Sequence, residues 1–113
     1  MFGFNEVDVA TLEQWKAGGE SFRLIDVRTP AEIARGGIEG AEPMPLHLIP
    51  LKLGELTGDA GKIVFYCQSG ARSAQACAFL AQHGVDEVYN LQGGIMAWAR
   101  SGRPLAELPL EGV

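Results

Sequence analysis

The residues best suited to chemistry are Cys67 and Arg72, which bound the hexapeptide Cys67-Gln68-Ser69-Gly70-Ala71-Arg72. A thiol attacks only as its thiolate, and what surrounds Cys67 favours ionisation. Upstream, Lys62-Ile63-Val64-Phe65-Tyr66 is rich in β-branched and aromatic residues, which predicts a strand buried on both faces. Downstream, Ala71 to His83 contains good helix formers and no proline, which predicts a helix. Ala74, Cys77, Ala78 and Ala81 would form one apolar face and Ala76, Phe79 and Leu80 a second, leaving a narrow polar stripe of Arg72, Gln75 and Gln82. The hexapeptide then lies at the carboxyl end of a strand, where open α/β sheets place their ligands. Its amides, the helix N-terminus and an arginine curling back toward the cysteine would converge on one anion-favouring point, and Gly70 lets the backbone turn inward. The helix dipole contributes about 0.3–2 kcal/mol and one pKa unit is roughly 1.4 kcal/mol, so two or three such contributions bring a cysteine from about 8.5 to below neutrality.

These two elements need a scaffold, and the rest of the chain reads as alternating strands and helices. Phe4 to Val7 predicts a first strand, and Asp8 an N-cap for a helix from Val9 to about Ala17, with Leu12 and Trp15 inward and Gly18-Gly19 at its end. Phe22 to Val27 predicts a buried strand, after which Thr29 and Pro30 open a short helix where Glu32 and Arg35 would pair on the surface. Asp26 and Arg28 emerge at the same sheet end as Cys67 and are read chiefly as loop anchors. Gly36 to Ala41 lacks the spacing of a phosphate-binding fingerprint and reads as a tight connection. Glu42 to Leu46, with two prolines, predicts an extended edge, His47 a loop histidine, Leu51 to Leu56 a short helical or irregular segment, and Thr57 to Gly61 a turn. His83 suits the negative pole of the central helix. Glu87 to Leu91 predicts a last strand, and Gln92-Gly93-Gly94 the start of a helix to Gly102, with Met96 and Trp98 as packing residues. Gly93-Gly94 fits either a close backbone approach beside the Cys67 loop or a plain turn. Alternation of this kind predicts one small α/β domain over residues 1–113 with a parallel sheet covered on both faces, and residues 103–113 as an irregular tail.

The 113 residues are 47% hydrophobic and 20% charged, enough for one core without staples. Net charge is −5 and the nine basic residues are scattered, which argues against a nucleic-acid surface. The two cysteines, Cys67 and Cys77, are expected to be free thiols in a reducing compartment. No cofactor is expected and no metal-ligand spacing is present. Met1 to Ala10 has no basic n-region or apolar run and no segment approaches the roughly 20 apolar residues of a membrane span, so a cytoplasmic protein without a membrane partner is expected.

Taken together, Leu24-Ile25-Asp26-Val27-Arg28 with Glu32, Gly37-Ile38-Glu39-Gly40-Ala41, Cys67-Gln68-Ser69-Gly70-Ala71-Arg72-Ser73 and Leu91-Gln92-Gly93-Gly94-Ile95-Met96-Ala97-Trp98 resemble the single-domain sulfurtransferases of the rhodanese family over nearly the whole chain. The resemblance implies a rhodanese-like, five-stranded parallel sheet flanked by helices. It also implies a double displacement in which Cys67 takes a sulfane sulfur from thiosulfate or a low-molecular-weight persulfide and passes it to cyanide, another thiol or a small sulfur-carrier protein. By the same resemblance Gln68, Ser69, Gly70, Ala71, Arg72 and Ser73 bind substrate, the backbone amides holding the persulfide and Arg72 shaping the loop and binding an anionic donor. Two departures stand out. Gly37 occupies a position that often carries histidine, and Gln68, Ser69 and Ala71 are neutral where efficient users of thiosulfate often carry basic residues.

Two other functions compete. Thiol phosphatases of similar design have a loop one residue longer, whereas only four residues separate Cys67 from Arg72 here. A noncatalytic partner-binding or redox-sensing module is the second, with Cys77 as a resolving thiol, although a small-residue helix face favours a buried structural role for it.

Overall fold

A computed structural model describes residues 3–57 and 61–110. Its sheet has five strands, β1 (Asn5–Val7), β2 (Phe22–Asp26), β3 (Glu42–Pro43), β4 (Lys62–Tyr66) and β5 (Val88–Leu91). They lie in the order β1-β5-β4-β2-β3, and every pairing is parallel. The two longest strands, β2 and β4, sit side by side in the interior, with Asp26 opposite Tyr66, so Asp26 and Cys67 emerge at the same sheet end.

The helices are α1 (Val9–Ala17), α2 (Pro30–Ile33), α3 (Leu53–Leu56), α4 (Ala71–Gln82) and α5 (Gly94–Arg100), with 3-10 turns at Leu46–Leu48 and Pro50–Lys52. Local signals set several ends. The Asp8 carboxylate accepts from the Thr11 N–H at 2.8 Å. Thr29 and Glu32 form a capping box around Pro30. At the other pole of α4 the His83 ring meets the Phe79 carbonyl through Nδ1 at 2.8 Å. The turn expected at Thr57 to Gly61 lies largely outside the described residues.

The period of two along β4 divides the core. Ile63, Phe65 and Cys67 join Ala76, Cys77 and Leu80 of α4 and the Ile49 and Leu56 region on one face. Val64 and Tyr66 join Leu12 of α1 and Ile95 and Trp98 of α5 on the other. The inward face of α4 differs from expectation: Ser73, Ala76, Cys77 and Leu80 are its buried residues, while Ala74, Ala78 and Ala81 are half-buried. Hydrophobic patterning passes over Ser73, which is buried because its hydroxyl finds partners.

The described segment after α5, residues 101–110, is irregular yet packed. Its Ala106 pairs with Gly37 across an antiparallel bridge, with N–H to O distances of 2.8 Å in both directions. The Trp98 indole donates to the Pro104 carbonyl at 2.9 Å. A Cβ placed on Gly37 would stand 2.5 Å from the Leu108 side chain and 2.9 Å from the Tyr66 hydroxyl. The space a larger residue would take at position 37 is therefore filled by the chain's own C-terminal segment.

Candidate active site

Cys67 follows β4 directly and its residue is only 1% exposed. The chain then has to reverse into α4, and Gly70 permits this at a φ of 108°, which other residues rarely adopt. The loop is held from outside through its carbonyls. The N–H groups of Ile95 and Met96, in the otherwise unpaired first turn of α5, donate to the Cys67 and Gln68 oxygens at 2.9 and 3.1 Å. Asn90 Nδ2 donates to the Gly70 oxygen at 3.2 Å. Because a trans peptide sets its N–H opposite its C=O, fixing the Gln68 carbonyl outward turns the Ser69 N–H inward toward the sulfur.

The sulfur accepts from the Gly70 N–H at 3.1 Å and lies 3.5 Å from the Ser73 hydroxyl. Burial raises the Cys67 pKa, but hydrogen bonding from the Ser73 hydroxyl and from the N–H groups of Ser73, Gly70 and Ser69 outweighs it, so the thiol ionises below its ordinary range. Ser73 has a second acceptor, Asn90 Oδ1 at 2.5 Å. Its hydroxyl has one proton to share between a thiolate and an amide oxygen. Asn90, 5% exposed, thus holds both the Gly70 turn and Ser73 of α4, and nothing in its local sequence announces this. Only its parallel register beside β4 brings it there.

Arg72 does not curl back to the thiol. Its guanidinium meets the Glu32 carboxylate in a two-pronged pair, Nη1 to Oε1 at 2.7 Å and Nη2 to Oε2 at 2.8 Å. The Arg72 hydrogen bonds hold the Glu32 carboxyl down to about 2 against the opposing effect of burial, with the Thr29 N–H also lowering it. The surface pair expected between Glu32 and Arg35 is therefore replaced by a link between α2 and the reactive loop. Asp26 and Arg28 do serve as an anchor. Arg28 donates through Nε and Nη2 to the Asp26 carboxylate at 2.7 to 3.2 Å, and Nη2 also reaches the Gly36 carbonyl at 2.7 Å. Both side chains are buried, so the pair fixes the β2–α2 turn rather than presenting free charge.

Of the residues expected in the loop, Gln68, Ser69 and Ala71 are exposed, Gly70 and Arg72 half-buried and Ser73 buried. His47 is exposed on a 3-10 turn. Both cysteines are free thiols; burial pushes Cys77 up to about 12, with the Glu6 charge adding to it. Gly94 decides between the two readings of the double glycine: a Cβ there would stand 2.5 Å from both the Cys67 and Gln68 oxygens. No group of three or more His, Cys, Asp or Glu side chains among the described residues is placed to hold a metal, and no described helix is long and apolar enough to cross a membrane.

Residues 8–101 match the family model for the rhodanese-like domain. The chain belongs to that family. A sulfurtransferase of Allochromatium vinosum is 52% identical over 101 residues, 89% of this chain and 94% of the relative. Among solved structures, a rhodanese-related protein from Thermoplasma volcanium superposes with a TM-score of 0.81 at 29% identity, covering 92% of this chain and 99% of the other. A Rhodopseudomonas palustris protein described as a possible tyrosine phosphatase gives 0.82 at 27% identity, covering 91% and 85%. The rhodanese-like fold accounts for the all-parallel sheet and for a cysteine loop between β4 and α4.

Proposed function

We propose that this rhodanese-like chain is a sulfurtransferase that carries sulfane sulfur on Cys67, taken from thiosulfate or a low-molecular-weight persulfide and delivered to cyanide or a thiol. The observation that carries this reading is the cradle itself: a buried sulfur with a lowered pKa, in contact with the Gly70 N–H and the Ser73 hydroxyl. The thiolate attacks the outer sulfur of a persulfide R–S–SH. As the new S–S bond forms, the old one breaks and its electron pair leaves on R–S⁻, while the proton stays on the terminal sulfur of Cys67–S–SH. With thiosulfate the leaving group is sulfite and the product is Cys67–S–S⁻. Both steps balance without an external oxidant, and the new anion sits in the same N–H cradle that favoured the thiolate. Attack by cyanide or a thiolate on the terminal sulfur regenerates Cys67.

The geometry is less suited to phosphoryl transfer. Only four residues separate Cys67 from Arg72, and the guanidinium that would clamp a phosphate is turned to Glu32. A Cys67–Cys77 redox pair is also disfavoured, since a thiol pushed up to about 12 by burial contributes little thiolate near neutrality.

Intact-mass analysis after brief incubation with thiosulfate, and separately with a small persulfide, tests the reading. Wild type and Cys77→Ser are expected to gain one sulfur that cyanide removes, and Cys67→Ser none. Failure of both donors to load Cys67 would overturn it.

A further inference from the structure

Beside the reactive loop runs a groove of about 580 Å³ between the end of α2, the outer face of α5 and the C-terminal segment. Gln68, the residue bonded to Cys67, lines one part of it. Ile95, Met96 and Leu105 supply apolar surface. Its charged residues fall into two kinds. Arg28 is bound to Asp26, and Glu32 to Arg72. Arg35 and Arg100 are exposed and make no side-chain hydrogen bond or ion pair with another described residue. In a chain of net charge −5, two guanidinium groups without a partner among the described residues thus line one groove that reaches the nucleophile's neighbour. The last turn of α5 accounts for one cation there, since Arg100 faces the negative pole of that helix; it does not account for Arg35 on a different element.

Resting on the sulfurtransferase reading, we propose that this groove binds the carrier part of the sulfur substrate, and that Arg35 and Arg100 select a low-molecular-weight thiol or persulfide of peptide size bearing carboxylates. The volume lies within the usual range of small-ligand sites, about 300–1,000 Å³. Planar guanidinium groups match carboxylates in a two-pronged geometry. The apolar wall requires a carbon skeleton, which thiosulfate lacks. A carboxylate end held by the arginines leaves the sulfur end to lie toward Gln68 and Cys67. The neutral side chains of Gln68, Ser69 and Ala71 fit this division of labour, because substrate charge is then read away from the reacting atoms.

The test compares glutathione persulfide, which carries two carboxylates, with the uncharged persulfide of 2-mercaptoethanol, in wild type and in the Arg35→Gln/Arg100→Gln double variant. The ratio of kcat/KM for loading Cys67 from the two donors is expected to fall about tenfold in the double variant, and to fall in wild type as salt is raised. S-methylglutathione, which cannot transfer sulfur, is expected to shift the backbone amide resonances of Gln68, Ile95 and Met96 in wild type and to bind several-fold more weakly to the double variant. An unchanged ratio together with arginine-independent binding would overturn the assignment while leaving sulfur transfer intact. Arginine-dependent binding of S-methylglutathione to a protein that no donor loads would instead sink the sulfurtransferase reading and uphold the groove's ligand class.

Discussion

Glu32 and Arg72, forty residues apart in sequence, face each other with each terminal guanidinium nitrogen donating to one carboxylate oxygen, at 2.7 and 2.8 Å. This pair ties the reactive loop to α2 and cancels the loop's one positive charge. Glu32→Gln removes the cancellation. It is expected to lower the apparent KM for loading by thiosulfate several-fold, since the dianion then meets an uncompensated Arg72, while stability drops by about 1 kcal/mol, or about 4 °C in Tm. Steady-state loading and thermal melts check both effects.

The same pair sets an acid limit. The folded-state pKa of Glu32, about 2, lies below its ordinary value of 4.5. A depressed carboxylate contributes stability that is present above 4.5 and lost as pH falls toward 2. Wild type should lose stability faster than Glu32→Gln across that window in denaturant titrations; parallel curves would show that the pair contributes nothing.

Ser73→Ala removes the hydroxyl near the sulfur. The Cys67 pKa is expected to rise, so alkylation by iodoacetamide at neutral pH slows up to about tenfold and recovers at high pH. The pH profile separates this from a loop that has merely shifted, which would slow the reaction at every pH.

Gly94→Ala drives a methyl against the carbonyls of Cys67 and Gln68 at a backbone φ of 59°. The substitution is expected to cost about 2–3 kcal/mol and to reduce sulfur loading at least tenfold, because the loop must move to admit it. Stability near wild type with full loading would show that the contact is not needed.

Gly37→Ala should cost about 1–3 kcal/mol through the clash with Leu108, and most of that cost should vanish against a Leu108→Ala background. A double-mutant cycle in urea reads the coupling. Additive effects would mean that the C-terminal segment does not fill this space.

Much of the fold was legible because it rests on short-range rules. The β-branched and aromatic run from Ile63 to Tyr66 and the helix-forming run after Gly70 put Cys67 at a strand end, and Thr29-Pro30 marked the start of a short helix. From these came Cys67 as the candidate nucleophile and the loop around it, while the alternation of strands and helices along the chain predicted the parallel α/β architecture. Tertiary structure decided which partners the charged and polar groups took. Arg72 could be placed in the loop from sequence, but its choice of Glu32 over the sulfur required the fold to bring Glu32 of α2 to the start of α4. The resemblance included Ser73 in the loop, but its bond to Asn90 at 2.5 Å exists only because β5 lies beside β4. Gly94 fits a close approach and a plain turn equally until α5 docks against the loop, and the C-terminal segment reads as a tail until Leu108 fills the space above Gly37. Local spacing fixes which way a backbone runs, whereas a hydrogen bond or a van der Waals contact is chosen among all groups that the folded chain brings within about 3–4 Å, and that choice is not written in any one stretch.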